Sequence, residues 1–96
     1  MTEPLEPANA DTARDARHRV QALVDDLTTA NGDPADALLR AQLSGLRTVL
    51  CLLRAGERGV PRPERLTLLR RARTHARSTT VLTSCALGET TLLQRR

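Results

Sequence analysis

Five leucines in the middle of the chain follow one another at spacings of four, three, four and three residues. They are Leu39, Leu43, Leu46, Leu50 and Leu53. Residues three and four apart lie on the same side of an α helix, so this spacing predicts a helix with a continuous apolar seam. Leu38, Val49 and Leu52 widen that surface beyond a two-stranded seam. We therefore expect this helix, residues 34–55, to be central and to contact two partners.

A second seam precedes the first one and predicts a helix over residues 12–30. Its apolar positions are Ala13, Ala16, Val20, Leu23, Leu27 and Ala30. Thr12 with Asp15 approximates a capping box at its start. Between the two helices, Gly32 suits a helix end, Asp33 is a good N-cap and Pro34 suits a first helical position. A connection this short makes the two helices antiparallel neighbours.

A third helix is expected over residues 63–87. The glycine- and proline-containing loop 56–62 precedes it, and Gly88 is expected to close it. Residues of high helix propensity are scarce over residues 78–81, where the helix could kink or end. Residues 1–10, with two prolines and few apolar side chains, are expected to form a disordered leader. The sequence thus predicts an all-α protein, a small antiparallel three-helix bundle in a single domain, residues 11–96.

The core of this bundle has few residue types available to it. The chain contains no Phe, Tyr, Trp or Ile, but it has seventeen Leu. Leu, Val and Ala must therefore supply the buried surface that aromatic residues usually dominate. In a chain of 96 residues this leaves a thin stability margin, which self-association commonly remedies.

Charge is sorted along the chain. Residues 1–36 carry eight acidic side chains against three arginines, whereas residues 37–96 carry twelve arginines against three glutamates. Arg40, Arg47 and Arg54 repeat every seven residues on one line of the second helix. In the third helix, Arg70, Arg73 and Arg77 gather on one side, with Arg62 and Arg65 preceding them.

Three interpretations of the basic third helix remain open. It could lie along nucleic-acid phosphates, it could be a solvated face in an arginine-biased proteome, or it could pair with acidic protein surface within the chain or across a dimer. The absence of Lys and Ile is typical of a GC-rich bacterial genome, which favours the second interpretation. Without aromatic residues base stacking is excluded, and the loop 56–62 is too long for a helix-turn-helix, so any nucleic-acid contact would be to the backbone.

No pattern of catalytic, cofactor-binding or metal-binding residues occurs. His18 and His75 are isolated, and Cys51 and Cys85 are too far apart for a zinc site. A redox pair of these cysteines would require their levels to align, which antiparallel packing of the second and third helices opposes. We expect neither an enzyme nor a bound metal or cofactor.

The sequence also predicts where the protein resides. It shows no signal peptide, and no apolar run approaches the roughly 18 residues of a membrane span. A cytoplasmic location without membrane contact is therefore expected.

These observations favour a non-enzymatic protein-interaction or regulatory module. We expect it to form a homo-oligomer, most simply a homodimer, or to bind another protein through the leucine-rich face of the second helix. The expected interface residues are Leu39, Leu43, Leu46, Val49, Leu50 and Leu53. The alternative is a small basic nucleic-acid-binding protein that contacts phosphates through Arg62, Arg65, Arg70, Arg73 and Arg77.

Overall fold

The described part of the chain folds into three α helices. The computed structural model describes the backbone of residues 5–29 and 36–94 and the side chains of residues 12–29 and 36–92. Within these ranges the helices are α1 (Leu5–Thr29), α2 (Ala37–Ala55) and α3 (Arg62–Gln94), and no strand occurs there. The all-α, three-helix prediction is confirmed.

Helix α1 begins at Leu5, seven residues before the predicted start at Thr12. The backbone of α1 therefore includes residues 5–10, which the sequence assigns to the leader. Pro7 is compatible with this start because it falls in the first turn, where backbone N–H groups have no intrahelical acceptor. Residues 1–4 of the predicted leader lie outside the described residues.

Helix α2 has its N-cap at Asp36, three residues after the predicted cap. The Asp36 carboxylate accepts a 2.9 Å hydrogen bond from the backbone N–H of Leu38. This satisfies one of the four N–H groups that a helix start leaves without a partner. The predicted cap at Asp33 and the start at Pro34 lie outside the described residues. The helix ends as predicted at Ala55, and the N–H of Gly56 donates to the Leu52 carbonyl at 3.1 Å.

Helix α3 is longer than predicted, because neither residues 78–81 nor Gly88 end it. The hydroxyls of Thr79, Thr80 and Ser84 each donate to the carbonyl four residues earlier, so these side chains bond within the helix. Gly88 is not in the left-handed conformation that ends helices; among the described residues only Gly59, in the α2–α3 loop, has a positive φ. The helix therefore continues to Gln94.

The middle helix of the bundle is α2. It contacts both α1 and α3, whereas α1 and α3 do not contact each other within the described residues. Two contacts fix the direction of α3: the Arg65 Nε donates to the Ala55 carbonyl at 3.0 Å, and the Ser44 hydroxyl donates to the His75 carbonyl at 2.8 Å. Later residues of α3 thus meet earlier residues of α2, so the two helices are antiparallel.

Small side chains form the α2 side of this packing. The buried residues of α2 are Ala37, Ala41, Ser44, Cys51 and Ala55, and Leu68 and Ala72 are the buried residues of α3. The spacing of the small residues follows the same heptad as a leucine seam, and their size lets the two helix backbones approach closely. The most buried line of α2 is therefore not its leucine seam.

The leucine seam lies on the other side of α2, at about 100° per residue. Leu39, Leu46, Leu50 and Leu53 are half-buried. Within the described residues α1 contacts α2 and not α3, and its Val24 is buried, so we infer that α1 covers this side of α2. Helix α2 thus uses two different faces for its two neighbours.

Candidate binding surfaces

The two remaining edges of α2 differ in chemistry. One carries Arg40, Arg47 and Arg54, all exposed. The other carries Leu38, Val49 and Leu52, which are 56%, 44% and 49% exposed. Each edge of α2 lies next to one flank of α3. The rotation of α3 about its own axis therefore decides which α3 residues extend each surface.

A cavity between the two helices settles this orientation. It has a volume of about 220 Å³, and its walls are Arg40, Leu43, Ser44, Arg47, His75, Ser78 and Leu82. The flank of α3 that carries Ser78 therefore lies on the arginine side of α2. We call this cavity the arginine groove.

The opposite flank of α3 consequently lies beside the apolar edge of α2. It carries Leu69 and Leu87, which are 43% and 67% exposed. These two residues are 18 positions apart, about five full helical turns, and so lie on one line. Together, residues of α2 and α3 form one apolar face: Leu38, Val49, Leu52, Leu69 and Leu87.

The interface residues expected from the sequence divide between two surfaces. Val49 is exposed on the apolar face, whereas Leu39, Leu46, Leu50 and Leu53 are half-buried on the α1 side. Leu43 is also half-buried and borders the arginine groove. Periodicity indicated the apolar surplus of α2 but not that Leu38 and Leu52 would be more exposed than the seam.

The five arginines expected to bind polyanions are all exposed. We call Arg70, Arg73 and Arg77 the arginine stripe; they project from α3 on the side away from α2, and their guanidinium groups bond to no other described residue. Arg62 is the first residue of α3. Arg65 differs from the others because its Nε caps the C-terminal end of α2 at the Ala55 carbonyl.

Acidic and basic helices do not face each other. Because α1 contacts α2 and not α3 within the described residues, Asp15, Asp25 and Asp26 of α1 do not lie against the arginine stripe. An ion pair joins Arg17 of α1 to Glu57 of the α2–α3 loop, and both side chains are partly buried. Charge sorting along the sequence contains no signal for this pair.

The thiols and imidazoles occupy separate places. Cys51 is buried and Cys85 is exposed, and both are free thiols. Along the helix axis, Cys51 lies between the Ala55–Arg65 and Ser44–His75 contacts. Cys85 lies beyond the second contact, so the two thiols are roughly 20 Å apart along the helices. Among the described residues, no group of three or more His, Cys, Asp or Glu side chains could hold a metal ion.

No helix in the described part of the chain has both the length and the apolarity required to cross a bilayer. No protein-family profile matches the chain, and no curated protein or solved structure matches it either.

Proposed function

We propose that the protein is a non-enzymatic interaction module that associates with a second copy of itself through the apolar face. The observation that carries this proposal is the exposure of five large aliphatic side chains on one side of the α2–α3 pair, between 43% and 67% each. Single exposed apolar residues are ordinary on soluble proteins, but several large ones on one side of a small helix pair favour an interaction site.

Thin internal packing supports the same proposal. Among the described residues, no large side chain is fully buried, and the core consists mainly of Ala with Val24, Cys51 and Leu68. A small chain with so little buried apolar surface has a small stability margin. Covering the apolar face would add the burial that the isolated chain lacks.

Charge determines which orientation a second copy can adopt. The chain carries a net charge of +4, so two copies repel each other unless their basic surfaces are kept apart. Arg40, Arg47 and Arg54 lie on the opposite edge of α2 from the apolar face, whereas Arg65 and Arg73, four residues on either side of Leu69, flank the face on α3. Joining two apolar faces about a two-fold axis would turn both arginine edges outward.

The experiment is a double substitution on the apolar face, Val49→Glu with Leu52→Glu. Both side chains are exposed, so the monomer fold should tolerate the change, while two buried carboxylates would oppose the assembly. We expect the wild type to have the light-scattering mass of two chains and the variant that of one, with equal helicity by circular dichroism. A variant that keeps the wild-type mass and helicity would refute the proposed interface.

Thr67→Glu with Thr74→Glu is the matched control. Both residues are exposed on α3 outside the apolar face, and their substitution adds the same two negative charges to a helix surface. This variant should keep the mass of the wild type. Dissociation of the control as well would show that charge alone, and not the apolar face, governs assembly.

A second candidate function is binding of nucleic acid through the arginine stripe. The observation that favours it is that Arg70, Arg73 and Arg77 are exposed on one side of α3 and that the acidic helix α1 does not contact α3 within the described residues. Arginines at this spacing suit successive phosphates of a backbone, and each neutralised phosphate releases counterions.

Fluorescence anisotropy with labelled duplex DNA and single-stranded RNA tests this second function. Glutamine at all three stripe positions should weaken binding to every sequence alike and flatten its salt dependence between about 50 and 200 mM. The control replaces Arg40, Arg47 and Arg54 with glutamine, which removes the same charge from α2. Unchanged affinity in the stripe variant, or an equal loss in both variants, would count against the stripe as the binding surface.

A further inference from the structure

The arginine groove is an open cleft between α2 and α3 with unused hydrogen-bond donors. Arg40 and Arg47 border it from α2, and His75 and Ser78 border it from α3. None of these four side chains makes a hydrogen bond or ion pair with another described residue. The groove therefore presents two guanidinium groups, an imidazole and a hydroxyl that are available to a ligand.

The electrostatics of the groove suit an anion. No carboxylate is among the residues that form its walls, and its only formally charged side chains are the two arginines. Their backbone positions are seven residues apart, about 10 Å along the helix axis, and both long side chains border the same cavity. Guanidinium groups bind phosphate and carboxylate oxygens in a bidentate way, which Lys cannot reproduce.

The volume of the groove and its apolar walls further restrict the class of ligand. At about 220 Å³ the cavity is smaller than the roughly 300–1,000 Å³ of sites that enclose a drug-sized ligand. Leu43 and Leu82 also border it, and they offer an apolar surface that a bare inorganic ion would not use.

We propose that the arginine groove binds a small organic phosphate, with Arg40 and Arg47 on the phosphate group and Leu43 and Leu82 against the organic part. The Ser78 hydroxyl and the His75 imidazole supply further hydrogen bonds. The groove lies on the opposite side of the α2–α3 pair from the apolar face. Binding does not depend on self-association, and the Val49→Glu, Leu52→Glu variant should keep it.

Isothermal titration calorimetry with phenyl phosphate tests this site. The double variant Arg40→Gln, Arg47→Gln should lose at least about tenfold in affinity, because charge-assisted hydrogen bonds are strong and each tenfold corresponds to 1.4 kcal/mol. Arg40→Lys with Arg47→Lys, which keeps the charge but not the bidentate geometry, should fall between this variant and the wild type. Circular dichroism should show the same helicity in every variant, since Gln and Lys are good helix formers.

The control removes two arginines elsewhere, with Arg73→Gln and Arg77→Gln on the stripe, and should bind phenyl phosphate like the wild type. Inorganic phosphate should bind more weakly than phenyl phosphate. No binding of phenyl phosphate up to the millimolar range, or an equal loss in the control, would overturn the site. Equal affinity for inorganic phosphate would overturn the role of Leu43 and Leu82.

Discussion

The Ser44 hydroxyl of α2 donates a 2.8 Å hydrogen bond to the backbone carbonyl of His75 in α3. The same carbonyl accepts a second 2.8 Å bond from the Thr79 hydroxyl. Ser44 is only 6% exposed, so its hydroxyl is a buried polar group that needs this partner. The bond fixes the level at which the two helices meet, and that level places both the apolar face and the arginine groove.

Enlarging Ser44 should separate the two helices. Ser44→Leu inserts a branched side chain into a seam of small residues, and overpacking of this kind costs about 1–3 kcal/mol. Ser44→Ala removes only the hydrogen bond and should cost about 1 kcal/mol. Urea unfolding measures both. Ser84→Leu, at an exposed position of α3, is the control and should leave the midpoint nearly unchanged; equal effects at both sites would contradict close packing at Ser44.

Gly45→Ala should stabilise the protein. A Cβ at this position would lie 3.7 Å from the Thr79 Cγ2, an ordinary van der Waals contact. Replacing a glycine inside a helix with alanine gains about 0.5–1 kcal/mol, because the unfolded chain loses freedom. The midpoint of thermal unfolding should therefore rise. A lower midpoint would mean that α2 and α3 approach more closely at Gly45 than the structure shows.

Two leucines of α3 should differ sharply in their contribution to stability. Leu68 is 3% exposed and Leu87 is 67% exposed. Leu68→Ala should cost about 2–5 kcal/mol by leaving a cavity against α2. For a single chain, studied at concentrations too low for association, Leu87→Ala should cost less than about 0.5 kcal/mol. Similar losses at both positions in urea unfolding would be inconsistent with the α2–α3 packing.

The Arg17–Glu57 pair should contribute modestly, and in a salt-dependent way. It joins α1 to the loop after α2, with side chains 32% and 29% exposed. A double-mutant cycle with Arg17→Gln and Glu57→Gln should give a coupling energy of roughly 0.2–1 kcal/mol that decreases with salt. A coupling of zero at low salt would show that α1 is not held at this point. Gln21→Ala, which removes an exposed contact to Asp25 within α1, gives the baseline for a single-helix change.

Much of the fold follows from periodicity. The seam from Leu39 to Leu53 predicts α2 and its central position, because apolar surface on more than one side needs more than one partner. The buried line from Ala37 to Ala55 has the same heptad spacing, yet small residues favour both buried and exposed positions. Sequence patterns alone therefore do not show that α3 packs on the small side.

The helix ends were harder to predict for a physical reason. Pro7 and Gly88 are both signals of a boundary, but each is also compatible with a helix in its local context. Pro7 is tolerated in a first turn, and Gly88 has no side chain that would prevent helical backbone angles. Beyond Gly88, Thr90 and Thr91 bond back to carbonyls four residues earlier.

The candidate surfaces depended on contacts that no local pattern encodes. The seven-residue spacing of Arg40 and Arg47 is visible in the sequence. Their proximity to His75 and Ser78 depends on the antiparallel packing of α3 on α2 and on its register along the helix axis. Likewise, the separation of acidic and basic residues along the sequence is compatible with a bundle in which α1 contacts α3 and with one in which it does not. The spatial order of the helices, which composition does not encode, distinguishes the two arrangements.

Sedimentation equilibrium of the wild-type protein across a wide concentration range tests the central claim, self-association through the apolar face, most directly. We predict a mass twice the 10.5 kDa of one chain at high concentration, falling toward the single-chain mass on dilution as mass action requires. A single-chain mass at every concentration, including millimolar protein, would contradict the claim.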